Sequence, residues 1–184
     1  MRHSGHQHIT SVYLQPGELY SGIKPVVVQT VLGSCVAVTM HAPRINCGAI
    51  CHALLPNGPR NIAGEHVEGA IGAIFEKMLA LGAKQDELVV KLFGGSRVLG
   101  SSQPNQTDKP SIGDQNIEQA IRMLDILGLP IVARDTGGDT GRKLFFYPQS
   151  GEVFVRKQRS SPALRYTEAK LYEPGLNMPG RRST

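Results

Sequence analysis

Two amphipathic segments lie between runs of β-type residues, and this order leaves few folds open to the chain. Apolar residues recur at helical spacing in His66–Leu81 and again in Asp114–Leu127. Gly82 follows the first predicted helix, while Asp114 is the predicted N-cap of the second, which ends before Gly128. Because strand and helix do not alternate strictly, the order favours an α+β fold in which two helices cover a mixed or antiparallel sheet.

The remaining apolar segments have the length and the β-branched content of strands. They are Lys24–Thr30, Cys35–Met40, Ile45–Leu55, Glu87–Phe93, Ile131–Ala133, Lys143–Tyr147 and Glu152–Arg156. His41–Arg44 has the composition of a turn, and Pro148–Gly151 predicts a hairpin loop between the last two strands. The polar segment Ser96–Pro110 predicts an exposed loop.

The length and the charge distribution indicate one domain with polar ends. A chain of 184 residues suits a single domain with its own core, which we expect over residues 9–157. Residues 1–8 and 158–184 are expected to be flexible tails. Lys157–Thr184 contains six basic and two acidic residues, a net charge of +4 out of +5 for the chain. Since the body is nearly neutral, no nucleic-acid-binding surface is indicated.

Hydropathy indicates neither a membrane segment nor an export signal. The chain has no continuous apolar run of about 18 residues, so we expect no membrane insertion. Met1–Thr10 is polar and lacks the apolar core of a secretory signal. A cytoplasmic protein is therefore expected, with a monomer as the default state.

The three cysteines indicate free thiols, since an odd number in a cytoplasmic chain argues against disulfides. On an extended strand Cys47 and Cys51 share one face, which suits core residues, while His52 faces the other side. The spacing is not that of a zinc site, so we predict no metal at these residues. Asp135–Arg142 is rich in glycine but lacks a phosphate-binding signature, which favours a structural turn.

Cys35 and His52 are the candidates for chemistry. Cys35 follows the turn residues Gly33 and Ser34, where backbone N–H groups can converge on a developing oxyanion. A buried core cysteine is the commoner outcome for such a residue. His52 lies in an apolar strand, where a hydrogen-bonded structural histidine is the alternative. On neighbouring strands the two side chains can meet, as nucleophilic catalysis requires.

Six motifs follow one another in an order that is more specific than any one of them. They are Thr30–Val38, Gly48–Pro56, Lys91–Gly95, Ile112–Asn116, Asp135–Gly138 with Gly141 and Arg142, and Gly151–Val153. Together they resemble the CheD family of chemoreceptor glutamine deamidases, and the resemblance extends from about Ile9 to Lys157.

The resemblance implies a three-layer α/β sandwich related to bacterial toxin deamidases. It implies a Cys-His-Thr active site, with Cys35 as nucleophile, His52 as base and Thr30 orienting the imidazole. We expect Gly33 and Ser34 to contribute backbone N–H groups to the oxyanion site, and the implied mechanism needs no metal or organic cofactor. The implied activity is that of a protein-glutamine glutaminase, which converts a receptor glutamine to glutamate through a cysteine thioester and releases ammonia.

The resemblance also implies partners and an alternative function. The expected substrates are methyl-accepting chemoreceptors, and an expected partner is a CheC-type phosphatase. The alternative is a non-catalytic protein that binds and regulates such a phosphatase. Two features depart from the family pattern: Cys51 directly precedes His52, and the basic tail is additional. We expect the site to be partly exposed, because it has to admit a side chain from a folded helix.

Overall fold

The computed structural model describes residues 10–58, 64–97 and 110–158. The strands are β1 (Thr10–Tyr13), β2 (Leu19–Gly22), β3 (Val26–Leu32), β4 (Val36–Ala42), β5 (Cys47–Ala53), β6 (Val89–Gly94), β7 (Ile131–Thr136), β8 (Gly141–Tyr147) and β9 (Glu152–Gln158). The helices are α1 (Val67–Ala80) and α2 (Ile112–Ile126). Most of the predicted loop Ser96–Pro110 and of both predicted tails lies outside the described residues, so the domain limits 9 and 157 stay a prediction.

The described part of the chain forms three layers. An outer sheet has the strand order β1-β3-β8-β9, and a middle sheet has the order β2-β5-β4-β6-β7. Both helices pack on the far side of the middle sheet, where they contact β4 and strands beside it. The pairs β1–β3 and β6–β7 are parallel and the others antiparallel, so both sheets are mixed. The three-layer α+β sandwich is confirmed, and the mixed sheet that the two helices were predicted to cover is the middle one.

The middle sheet separates two cores, because alternate residues of a strand face opposite sides. Val36, Val38 and Met40 of β4 pack with the helices, and Ala37 packs with the outer sheet. Every residue of β4 and of β5 is buried, as the central position of these strands requires. The core between the sheets, here called the inter-sheet core, consists of Leu14, Val26, Val28, Leu32, Cys35, Ala37, Ile50, Leu54, Phe93, Leu144 and Phe146.

Both helices lie where the periodicity predicts them, but the start of α2 needs a correction. Ser111, not Asp114, is the N-cap: its hydroxyl accepts a hydrogen bond from the Asp114 N–H at 3.1 Å. The Asp114 carboxylate in return accepts the Ser111 N–H at 3.0 Å. This reciprocal pair is a capping box, which places the acidic residue at the third helical position rather than at the cap. Neither helix of the described chain has the length and apolar content needed to cross a membrane.

The strand predictions were right in number for the interior and incomplete at the edges. Strands β1 and β2 were missed, because short edge strands depend on hydrogen bonds from one neighbour rather than on an apolar run. Strand β4 continues to Ala42, so the predicted turn at His41 is wrong by two residues. The turn itself is a single 3₁₀ turn, Pro43–Ile45, and it is closed by Asn46 in the left-handed region at φ 47°.

The glycine-rich segment is a structural turn, as predicted, between β7 and β8. Arg142 is buried and its guanidinium lies 2.9 Å from the Asp135 carboxylate. The guanidinium also donates to the Gly137 carbonyl at 2.7 Å and to the hydroxyl of Ser96. A buried arginine with several acceptors fixes this turn to the loop that follows β6.

Candidate active site

Strand register brings Cys35 and His52 to the same face of the middle sheet. In the antiparallel pair of β4 and β5, Ala37 lies opposite His52. Cys35 precedes β4 and points to the same side as Ala37, so it lies diagonally across from His52. Cys35 belongs to the inter-sheet core, which places the thiol and the imidazole between the two sheets.

Thr30 reaches the imidazole from the opposite sheet. Its hydroxyl oxygen, on β3, lies 2.7 Å from Nδ1 of His52, and the hydroxyl donates to the Leu14 carbonyl at 2.9 Å. A hydroxyl has one proton to donate. Because Leu14 takes that proton, we infer that Nδ1–H donates to Thr30 and that Nε2 carries the lone pair. Nε2 is buried and has no hydrogen-bond partner among the described residues.

Burial keeps the imidazole neutral. Loss of hydration lowers the pKa of His52 from 6.5 to about 4, and the backbone hydrogen bond with Leu14 acts in the opposite direction. At neutral pH the ring is therefore uncharged, with Nε2 free to take a proton. An uncharged imidazole held through Nδ1, on the face of the sheet that also carries a thiol, is suited to act as a general base.

The loop that carries Cys35 is held by three consecutive backbone carbonyls. Two of them accept hydrogen bonds from the loop that follows β6, and the third accepts one from α2. The pairs are Ser96 N–H to Gly33 at 2.7 Å, Asn116 Nδ2 to Ser34 at 2.9 Å, and Gly95 N–H to Cys35 at 2.8 Å. The direction of each peptide in this loop is thereby fixed, including those that present the N–H groups of Ser34 and Cys35.

The expectation of a partly exposed site is wrong. Thr30 is fully buried, and the relative exposures of Cys35 and His52 are 3% and 2%. The cause is the position of all three residues between two packed sheets, rather than at a sheet edge.

The other two cysteines face away from this site. Cys47 and Cys51 lie in the core on the helix side of the middle sheet, as the strand alternation predicts. Burial raises the pKa of Cys51 to about 12, so this thiol stays protonated and inert. Among the described residues, no three histidine, cysteine or carboxylate side chains are placed to hold a metal ion.

Asn116 is the residue of this site that the sequence analysis missed. It appeared only as part of a motif at the start of α2, yet its side chain contacts the Cys35 loop. A signal was present, since Asn116 lies four residues before Ala120 and eight before Leu124, both of which are buried. A polar residue on the apolar face of a helix has to find buried partners.

The fold and the site together define a class: α+β sandwiches in which a thiol, an imidazole and a hydroxyl meet between two sheets. Comparison with known proteins identifies the family within this class. The family model described as "CheD chemotactic sensory transduction" matches residues 54–157. The chain belongs to the CheD family. The match to the family model begins after His52, so the matched region does not include Thr30, Cys35 or His52.

Individual relatives extend the similarity toward the N-terminus. The protein named "Probable chemoreceptor glutamine deamidase CheD 2" from Geobacter sulfurreducens is 43% identical over 86% of this chain and 96% of its own length. Similarly named proteins from Maridesulfovibrio salexigens and Methanococcus maripaludis are 41% and 33% identical, over 81% and 77% of this chain and 92% and 91% of their own lengths.

A solved structure also shows a weak similarity. The hypothetical protein YfiH of Bacillus licheniformis is 11% identical, with a TM-score of 0.45, over 66% of this chain and 51% of that one. Similarity at this level supports no conclusion about function.

Proposed function

We propose that this chain is a chemoreceptor glutamine deamidase in which Cys35 is the nucleophile and His52 is the base. The observation that carries the proposal is the 2.7 Å hydrogen bond between Thr30 and Nδ1 of His52. From it we infer an unprotonated Nε2 on the face of the sheet that Cys35 shares. Family membership supports the choice of substrate, because the relatives carry the name chemoreceptor glutamine deamidase.

The first half of the reaction forms a thioester. Nε2 of His52 takes the thiol proton, and the Cys35 sulfur attacks the carboxamide carbon of a receptor glutamine. The carbonyl oxygen becomes an oxyanion, which accepts hydrogen bonds from backbone N–H groups of the Gly33–Cys35 loop. The imidazolium then gives its proton to the nitrogen, the C–N bond breaks, and ammonia leaves.

The second half regenerates the thiol. A water molecule gives a proton to Nε2 of His52 and adds to the thioester carbon. When the second tetrahedral intermediate collapses, the C–S bond breaks and the sulfur of Cys35 recovers a proton from the imidazolium. The products are a glutamate side chain and ammonia, and the sequence of steps uses only groups of the protein and water.

Thr30 contributes to this cycle by orienting the ring. If Nδ1 lost its partner, the imidazole could rotate or adopt the other tautomer, with the proton on the nitrogen that has to act as the base. The proposed role of Thr30 is therefore to keep Nε2 unprotonated and directed at the thiol, while its own proton is held by Leu14.

The setting and the partners follow from the resemblance. We place the protein in the cytoplasm, acting as a monomer on the cytoplasmic helical bundle of methyl-accepting chemoreceptors. A CheC-type phosphatase is the further partner, and regulation of that phosphatase by binding alone is the alternative function. The buried pair Cys35 and His52 favours the enzyme, because a binding surface does not need an oriented base between two sheets.

The test is to incubate the purified protein with a receptor cytoplasmic fragment and to follow the fragment by intact-mass and peptide mass spectrometry. Hydrolysis of each carboxamide to a carboxylate adds about one mass unit and releases ammonia. Cys35→Ala should abolish the change, and Thr30→Val should slow it about 10- to 100-fold, as loss of an oriented acid–base group does.

Cys51→Ala is the matched control. It removes a thiol from β5, the strand that carries His52, on the face that points away from the site. This variant should deamidate the receptor at close to the wild-type rate. If the wild type leaves several different receptors unchanged, the enzyme proposal fails, and capture of a CheC-type phosphatase would then support the alternative.

A further inference from the structure

One side chain on α2 bridges the segment that carries the thiol and the segment that carries the imidazole. Asn116 is fully buried, and its Nδ2 donates to the Ser34 carbonyl at 2.9 Å and to the Leu54 carbonyl at 2.8 Å. Ser34 directly precedes Cys35, and Leu54 lies two residues after His52. A single amide group therefore ties the loop before β4 to the residue after β5, just beyond the last ladder pair, Val36 with Ala53.

The bond to Ser34 also controls the direction of an N–H group. The carbonyl of Ser34 and the N–H of Cys35 belong to the same peptide, and none of the described peptides is cis. In a planar trans peptide these two groups point in opposite directions. Because Asn116 draws the Ser34 carbonyl toward α2, the N–H of Cys35 is directed away from the helix and toward the inter-sheet side.

The rest of the asparagine argues against a role in stability alone. Its Oδ1 is buried and has no hydrogen-bond partner among the described residues. A buried unpaired oxygen weakens the folded state; an apolar residue of the same shape would avoid that cost but would remove the amide donor from both carbonyls. The chain keeps an amide that satisfies two carbonyls and leaves its own oxygen unpaired, which is the pattern of a group retained for its geometry.

We propose that Asn116 is a positioning residue that fixes the Cys35 loop against the His52 strand and directs the Cys35 N–H toward the oxyanion. The inference deepens the proposed function and rests on it for the reaction. The structural part of the inference is independent of the proposed function, because the ordering of the Cys35 loop can be measured without any substrate.

Asn116→Leu is the informative variant, since leucine has nearly the shape of asparagine and neither of its donors. The matched control is Leu124→Ala, which truncates another fully buried side chain of the same helix without a bond to the loop. If α2 acted only as packing, both variants would affect the site alike.

Kinetics of receptor deamidation form the first arm. For Asn116→Leu we expect kcat to fall about 10- to 100-fold with KM changed less than about threefold, because the loss falls on the oxyanion and not on receptor binding. Leu124→Ala, measured well below its unfolding temperature, should keep kcat near the wild-type value. Equal losses of kcat in both variants, or a wild-type kcat in Asn116→Leu, would overturn the proposal.

Amide hydrogen exchange followed by mass spectrometry forms the second arm. In Asn116→Leu we expect exchange in residues 33–36 and 53–55 to accelerate at least about tenfold, with β8 and β9 unchanged. Leu124→Ala should leave the first two segments protected. If the wild type proves inactive on receptors, the proposed function fails, while this arm still decides whether Asn116 orders the loop.

A second variant covers the case in which Asn116→Leu does not fold. Asn116→Asp keeps the shape of the side chain and also removes the amide donors, and it would be taken through both arms. If neither variant folds while Leu124→Ala does, Asn116 is needed for folding itself, and the positioning role is rejected.

Discussion

At the scale of single residues, the unusual group is a histidine that is buried and uncharged. His52 has 2% of its surface exposed, and its ring is held by a hydroxyl rather than by a carboxylate. A carboxylate partner would stabilise the imidazolium and raise the pKa, whereas a hydroxyl fixes the orientation without adding a charge. The ring is thus uncharged at neutral pH, and under the proposed mechanism it accepts a proton as the Cys35 thiolate forms.

This histidine makes the stability of the fold depend on pH. Its pKa is about 4 in the folded chain against 6.5 for an unperturbed histidine. Between these two values the unfolded chain binds a proton at this residue and the folded chain does not. Stability therefore falls as the pH drops below about 6.5 and continues to fall until about pH 4, by a total on the order of 3 kcal/mol.

Urea unfolding between pH 7 and pH 5 measures the effect. The wild type should lose stability across this interval, and His52→Gln should show a clearly smaller slope. The carboxyls with lowered pKa, Glu87, Asp114 and Asp135, lose their contributions mainly below this interval and so do not mask it. Parallel curves for the two proteins would contradict the assignment of a neutral buried ring.

Sequence reasoning selected Cys35 and His52 as candidates, and the resemblance added Thr30, but neither indicated Asn116. Cys35 and His52 stood out because a thiol after a Gly-Ser turn and a histidine in an apolar strand are chemically conspicuous. Asn116 did not, since its partners are the carbonyls of Ser34 and Leu54, which every residue possesses. A hydrogen bond to a backbone atom does not require a particular residue type in the partner, so it cannot be predicted from the partner's position in the sequence.

At the scale of elements, the end of β6 is shaped by glycine. Gly94 has φ +103°, and a Cβ on it would lie 2.2 Å from the Cys35 carbonyl oxygen. The next residue, Gly95, donates its N–H to that same oxygen. The close approach of β6 to the Cys35 loop thus requires a residue without a side chain and with a positive φ.

Gly94→Ala should therefore destabilise the fold by more than about 2 kcal/mol, through strain and the clash with the Cys35 carbonyl. Deamidation should fall further than the loss of folded protein explains, because the Cys35 loop has to move. Gly72→Ala is the control: it lies within α1 with open space around its Cβ, and should stabilise the chain by up to about 1 kcal/mol. Thermal unfolding and receptor deamidation, measured for both, test the prediction.

Sequence patterns predicted elements in proportion to how much of their stability is local. Both helices were found, because an apolar face at helical spacing is recorded within the segment itself. Strands β1 and β2 were missed, since Thr10–Tyr13 and Leu19–Gly22 become strands only by pairing with β3 and β5. Strand β7 was predicted too short for the same reason: Arg134 and Asp135 pair with β6 although neither is apolar.

At the scale of the whole molecule, the site depends on how two sheets sit against each other. Thr30 belongs to the outer sheet and His52 to the middle sheet, so their 2.7 Å hydrogen bond depends on how closely the two sheets pack. The residue patterns did not indicate a second sheet. A strand buried on both faces has the same sequence pattern whether a helix or another sheet packs on its second face. The resemblance to the CheD family was needed to predict three layers.

Gly48 tests this dependence at a distance from the site. It lies on β5, and a Cβ there would come 2.6 Å from the Pro148 carbonyl oxygen and 2.8 Å from the Phe146 ring. Gly48→Ala should therefore push the sheets apart, lower the melting temperature, and weaken the contact between Thr30 and His52.

Nitrogen chemical shifts of the His52 ring, recorded by NMR, report the tautomer directly. We expect one well-defined tautomer in the wild type and exchange between two in Gly48→Ala, with deamidation reduced about tenfold or more, as for other displaced acid–base groups. The variant Gly72→Ala serves again as the control. A wild-type ring spectrum in a destabilised Gly48→Ala would show that the two layers tolerate separation.

The pairing of β3 with β8 also determines when, during synthesis of the chain, the outer sheet can form. Residues 30, 35 and 52 are close in the chain, but Thr30 lies opposite Leu144, on a strand that ends at Tyr147. A ribosome makes the thiol, the imidazole and the hydroxyl early, and the partner strand of the hydroxyl about a hundred residues later. Until then the outer sheet has no β8, and the ring has no settled orientation. We therefore expect a newly made chain to acquire this arrangement only after Gly141–Tyr147 has been made.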